Sequence, residues 1–139
     1  MATINKADIE MGNAFIPKFD ANGLVPVIVQ DIRTKIVLML AYMNLESIEK
    51  TLACGEMVYY SRSRKALWHK GKTSGSIQKV VTLSTDCDQD TILAMVKVSQ
   101  QGACHNGYET CFYRNVISSD TLERNHTSQC FEPSEVYKK

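Results

Sequence analysis

No excess of charge of either sign runs through this 139-residue chain: 16 lysines and arginines face 15 aspartates and glutamates, for a formal net charge of +1. That absence argues against a nucleic-acid or membrane-surface binder, which carries a basic excess. A local basic pocket for a phosphate ester stays open. Long apolar runs are missing too. No stretch approaches the roughly 20 apolar residues of a membrane helix. The opening residues MATINKADIEMGNAF lack the basic start and apolar run of a secretory signal, so the expectation is a cytoplasmic protein. There is no internal repeat and no low-complexity segment. Nor do the cysteines pair off: there are five, Cys54, Cys87, Cys104, Cys111 and Cys130. In a reducing compartment, metal binding or plain burial is expected before a disulfide framework.

What is present suits one domain with a real core, at 44% apolar and 22% charged residues. Residues 24–30 (LVPVIVQ) read as a strand behind a turn signal at 20–23, with Pro26 marking an edge position or a strand start. Residues 36–43 (IVLMLAYM) form a buried strand or a short helix, which periodicity does not separate. A helix follows, with Asn44 as N-cap, Leu45, Ile48 and Leu52 on one face, and Gly55 at its end. Residues 57–61 and 77–85 read as strands, and 91–99 as a strand or a short helix, with its β-branched content favouring the strand. Between them, residues 61–76 (SRSRKALWHKGKTSGS) read as functional loops around a short strand at Leu67 and Trp68. Residues 1–18 show no period. The expected architecture is α+β, a small single domain rich in short strands with one or two helices. It spans residues 1–114, and residues 115–139 form a polar C-terminal tail, flexible or helical.

Three segments carry chemistry. In Asp86-Cys87-Asp88-Gln89-Asp90, alternating carboxylates offer hard oxygen ligands for magnesium or calcium. On an extended backbone Asp86, Asp88 and Asp90 share one face and Cys87 the other, which would sort magnesium to the carboxylates and zinc to the thiolate. An EF-hand is excluded, because Thr91 stands where its glycine belongs and Lys97 where its glutamate belongs. The bland alternative is a solvated acidic turn. The second segment, Cys104-His105-Asn106-Gly107 followed by Cys111, has two cysteines that can share a zinc if the loop turns back at Gly107, or that are simply buried. With Cys87 they would make three ligands and leave a position open for water, the arrangement of catalytic zinc. Such a water is acidified toward neutrality, and His105 is the candidate general base. Nucleobase deaminases use zinc-activated water on the amidine carbon of cytosine or adenine, with a Glu as proton shuttle, but their H-x-E and P-C-x-x-C signatures are absent. The third segment combines Arg62, Ser63, Trp68, Lys70, Gly71, Lys72, Ser74 and Gly75 as a phosphate cradle, or else a basic surface hairpin. Gly71-Lys72-Thr73 is not a nucleotide P-loop, since Ala66 stands where its first glycine belongs.

In order and spacing these blocks, Trp68 to Gly75, Asp86 to Asp90, Ala103 to Gly107 and Thr110 to Phe112, together with GLVPVIVQD and LAYMN upstream, resemble the phosphoribosyl-AMP cyclohydrolase family over roughly residues 19–114. The resemblance implies hydrolysis of the adenine bond between nitrogen 1 and carbon 6 of phosphoribosyl-AMP in histidine biosynthesis. It implies Mg2+ on Asp86, Asp88 and Asp90, and Zn2+ on Cys87, Cys104 and Cys111. It further implies an intertwined homodimer in which the zinc ligands come from two chains. Lys35, Asn106 and Thr110 stand where the family usually has Gly, Thr and Ser, and none is a proposed ligand. The rivals are a structural zinc-binding interaction module, which needs a closed four-ligand site, and a redox protein using Cys104 and Cys111.

Overall fold

The computed structural model describes residues 5–99 and 108–125. Its centre is strand β1 (Val25–Asp31), in which Val25, Val27, Val29 and Asp31 alternate inward. Such alternation fits a strand with one face on a core. β2 (Val37–Met43) lies antiparallel on one side of it, and β6 (Ile92–Val98) lies parallel on the other. β5 (Gln78–Thr85) completes the sheet antiparallel to β6, giving the order β2-β1-β6-β5. Both ambiguous apolar runs are therefore strands. Pro26 begins a central strand rather than an edge one, because its partner is Tyr42 of β2 while pairing with β6 starts at Val27. Its missing N–H thus removes no ladder bond to β6.

A parallel pair needs a crossover: residues 32–91 connect β1 to β6, and within them 44–77 carry the chain from β2 to β5. Helix α2 (Leu45–Cys54) opens on a capping box in which Asn44 and Ser47 each accept from the other's amide, at 2.8 and 2.9 Å. It ends on left-handed Gly55. Ile48 is buried as expected, but Leu45 and Leu52 are exposed, and the inward stripe is Ser47, Ile48 and Thr51. Two hydroxyls tolerate burial there because both are bonded. Thr51 accepts from the Val58 amide at 2.9 Å and donates to its carbonyl at 3.2 Å. This ties the helix to a hairpin of β3 (Val58–Ser61) and β4 (Ala66–His69).

Two segments differ from expectation. Residues 6–11 form a short helix, α1 (Lys6–Met11), started by an Asn5–Asp8 capping box. A polar stretch after Asn115 is no tail at 114–124: β7 (Arg114–Ser118) and β8 (Thr121–Arg124) pair as a hairpin. Every residue of both strands is exposed, so no buried face imposes a visible period on the sequence. The remaining tail residues, 126–139, lie outside the described residues. The architecture is α+β, one small strand-rich domain with two helices among the described residues. No described helix is long and apolar enough to cross a membrane.

The core gathers Val25, Val27, Val29, Leu38, Met43, Ile48, Met57, Ile92, Ala94 and Val96. Each fully buried aliphatic side chain contributes roughly 1.5–3 kcal/mol. One polar chain crosses it. The buried Tyr59 hydroxyl donates to Gln78 Oε1, and Gln78 Nε2 reaches Met39 Sδ at 3.4 Å. Burial, and secondarily the Cys111 thiol, raise the Tyr59 phenol well above its ordinary value of 10.0. The folded protein therefore keeps this proton above pH 10.0, where the unfolded chain gives it up. Stability from Tyr59 is intact below that pH and falls above it, by about 1.4 kcal/mol per pH unit. Chemical denaturation across alkaline pH should show this decline in the wild type and its removal in Tyr59→Phe.

Candidate functional site

The acidic segment is not extended. It is the connection between β5 and β6, whose last antiparallel pair is Thr85 with Ile92. An extended chain would set Asp86 and Asp90 roughly 13 Å apart. Here one ligand oxygen from each of Asp86, Asp88 and Asp90 lies within 4.8 Å of the other two. Asp86 folds the turn: its Oδ1 accepts the amides of Asp90 at 3.0 Å and Thr91 at 3.1 Å. Its carbonyl accepts from the Gln89 amide at 3.1 Å, and Gln89 sits at φ 59. A side chain capping its own turn in this way is typical aspartate behaviour. The carboxylates converge through a turn, and not through the strand face the alternation suggested.

Their electrostatics follow from the crowding. Desolvation pushes the Asp86 carboxyl up. Hydrogen bonds from the Asp90 carboxyl, the Thr91 and Asp90 amides and Asp88 outweigh it and leave Asp86 below the usual 3.8. Asp90 is raised, first through its hydrogen bond with Asp86 and then through Asp88. Three like charges this close favour holding a proton or a cation between them. All-oxygen donors and mutual proximity fit a hard divalent ion such as magnesium. Among the described residues this is the group of three acidic or soft side chains close enough to hold a metal.

The thiols lie elsewhere. Cys87 is exposed and lines a cavity of about 490 Å³ between α1, α2 and β5, with Phe15, Ile48, Leu52 and Leu83. Cys111 lines a second cavity, also about 490 Å³. It is set there by the outer edge of β2: its amide donates to the Leu38 carbonyl at 2.7 Å, and the Thr110 hydroxyl donates to the Val37 and Leu38 carbonyls at 2.6 and 3.1 Å. A serine hydroxyl would do the same, which explains why Thr110 substitutes for it. Cys104 and His105 lie outside the described residues, as does Cys130. Cys54 is an exposed thiol at the end of α2.

Of the basic segment, Ser63, Trp68, Lys70, Gly71 and Ser74 line the Cys111 cavity. Arg62, Lys72 and Gly75 do not, and the Arg62 guanidinium stacks on the Tyr42 ring at 4.0 Å. Lys70 is buried, with its ammonium 5.6 Å from the Trp68 ring centre. Gly71, at φ 85, admits no side chain, because a Cβ would strike the Ser76 carbonyl carbon and the Ile77 amide. Arg64, His69 and Thr73, from the same basic segment but outside the named substrate set, join the lining. His69 Nε2 pairs with Glu56 Oε1 at 2.8 Å. The pairing of β3 with β4 makes His69 a neighbour of Val58, a proximity that no linear motif displays. The cavity thus joins two cationic side chains, several hydroxyls and an indole face, a set suited to a phosphorylated aromatic ligand.

Comparison with known proteins agrees with this chemistry. Residues 39–113 match the family model described as Phosphoribosyl-AMP cyclohydrolase. The chain is 47% identical to the phosphoribosyl-AMP cyclohydrolase of Nitrobacter hamburgensis, over 97% of this chain and 94% of that protein. It is 49% identical to that of Bradyrhizobium diazoefficiens, over 95% and 96%, and 53% identical to that of Chlorobaculum tepidum, over 88% of each. The chain belongs to the phosphoribosyl-AMP cyclohydrolase family.

Proposed function

We propose that the chain hydrolyses the bond between nitrogen 1 and carbon 6 of phosphoribosyl-AMP, in the cytoplasm, as a step of histidine biosynthesis. Water oxygen ends on carbon 6 as a carboxamide, nitrogen 1 takes a proton, and the product is the formimino-aminoimidazole carboxamide ribotide. The observation that carries this reading, beside family membership, is the turn that converges the Asp86, Asp88 and Asp90 oxygens within 4.8 Å. A structural zinc module would have no use for it. In this reading the three carboxylates hold Mg2+, and Cys87, Cys104 and Cys111 hold Zn2+. Zinc held by these three cysteines would supply the water activation that attack on an amidine carbon needs.

The chain's own residues do the rest. Lys70 and Arg64, with the Ser63, Thr73 and Ser74 hydroxyls, are placed to take the phosphates, and Trp68 offers a face to the purine. Arg62, Lys72 and Gly75, which do not line this cavity, complete the proposed substrate set. His105 is the proposed base, receiving a proton from the attacking water. Purified protein should open the ring of phosphoribosyl-AMP, followed by its ultraviolet change, and chelator should stop it until zinc and magnesium are returned. Cys104→Ser should abolish zinc binding and turnover, and Cys54→Ser should alter neither. Normal turnover by zinc-free Cys104→Ser protein would overturn the ligand set.

The separation of Cys87 and Cys111 into different cavities supports a homodimer with zinc shared between chains. Mixing Cys87→Ser with Cys111→Ser protein tests it. If ligands come from two chains, random mixed dimers recover one intact site each, and activity returns to about a quarter of wild type. Sites contained in one chain would stay inactive on mixing.

A further inference from the structure

We propose that Gln89 is a positioning residue for the divalent-cation site, and that through it the N-terminal segment holds the Asp86–Asp90 turn in its cation-binding shape. The proposal rests on the reading of Asp86, Asp88 and Asp90 as magnesium ligands. Gln89 is the one residue of the turn that is buried, at 4% exposure. Its backbone at φ 59 is left-handed, where glycine or asparagine is the ordinary choice. The side chain accounts for a glutamine instead. Oε1 accepts the Ile16 amide at 2.7 Å, and Nε2 donates to the carbonyls of Ile9 at 3.0 Å and Ala14 at 3.2 Å. The Gln89 carbonyl also accepts the Lys18 amide at 2.7 Å.

One donor and two acceptors have to be met at one spot, more than seventy residues away in sequence. Only a side-chain amide offers two N–H donors and an acceptor together. Glutamate has no N–H for the two carbonyls, and lysine has no acceptor for the amide. The clamp ties the turn to residues 9–18 and opposes the repulsion that would open it. Cation and clamp favour the same turn, so each should tighten the other.

Gln89→Gly is the discriminating variant, because glycine accepts φ 59 without strain yet removes the amide. Mn2+ binding to the full chain is read by electron paramagnetic resonance, with Asp88→Ala as the site control. Hydrogen exchange at the Ile16 amide is read with and without Mg2+. The wild type should bind Mn2+ in an Asp88-dependent way, and Gln89→Gly roughly tenfold more weakly, with zinc content unchanged. Mg2+ should slow exchange at Ile16 in the wild type and not in the variant. Equal Mn2+ affinity in the two proteins would overturn the role of Gln89 and leave the magnesium reading standing. Absence of Asp88-dependent Mn2+ binding in the wild type would overturn both. Should Gln89→Gly fail to fold, the wild-type exchange decides alone: an Ile16 amide indifferent to saturating Mg2+ sinks the proposal.

Discussion

Like charge held at close range is the constraint around which this molecule is arranged. Three carboxylates meet within 4.8 Å at the end of the β5–β6 pair. They stay there because Asp86 spends one oxygen on two backbone amides, and because the antiparallel register sets where the turn begins and ends. Their crowding lowers the Asp86 carboxyl and raises that of Asp90. A divalent ion bound among the three would offset their repulsion.

The rest of the fold serves to position a second region. β2 is an edge strand, and edge strands present unpaired carbonyls. Val37 and Leu38 offer theirs to Thr110 and Cys111, which places the thiol over the Trp68–Ser74 loop. The buried Tyr59 hydroxyl bonds Gln78, and the Tyr59 ring lies 5.4 Å from the Trp68 ring of that loop. Acidic turn and basic cavity belong to separate parts of one chain.

Much of the framework was legible because burial writes its period into the sequence. Val25, Val27 and Val29 alternate inward, and Asn44 and Gly55 bracket α2. The misses have the same physics. Leu45 and Leu52 look like a buried face, but hydrogen-bonded Ser47 and Thr51 occupy it. The β7–β8 hairpin buries nothing and so leaves no pattern. Lys35, where the family usually has glycine, sits at φ 65 in the turn after β1, which is the conformation a glycine there would relieve.

By itself the sequence determined chemical character: hard oxygens at 86, 88 and 90, thiols at 87, 104 and 111, cations and hydroxyls from 61 to 76. Spacing of these types was enough for the family. Distance was decided only by tertiary structure. The carboxylates converge through a left-handed turn, because a strand would have held them apart. Gln89 reads as a spacer between acids until residues 9–18 are seen folded against it. Glu56 and His69 become a pair only when β3 and β4 close. Residue type is local, whereas proximity comes from how the whole chain packs and pairs its backbone.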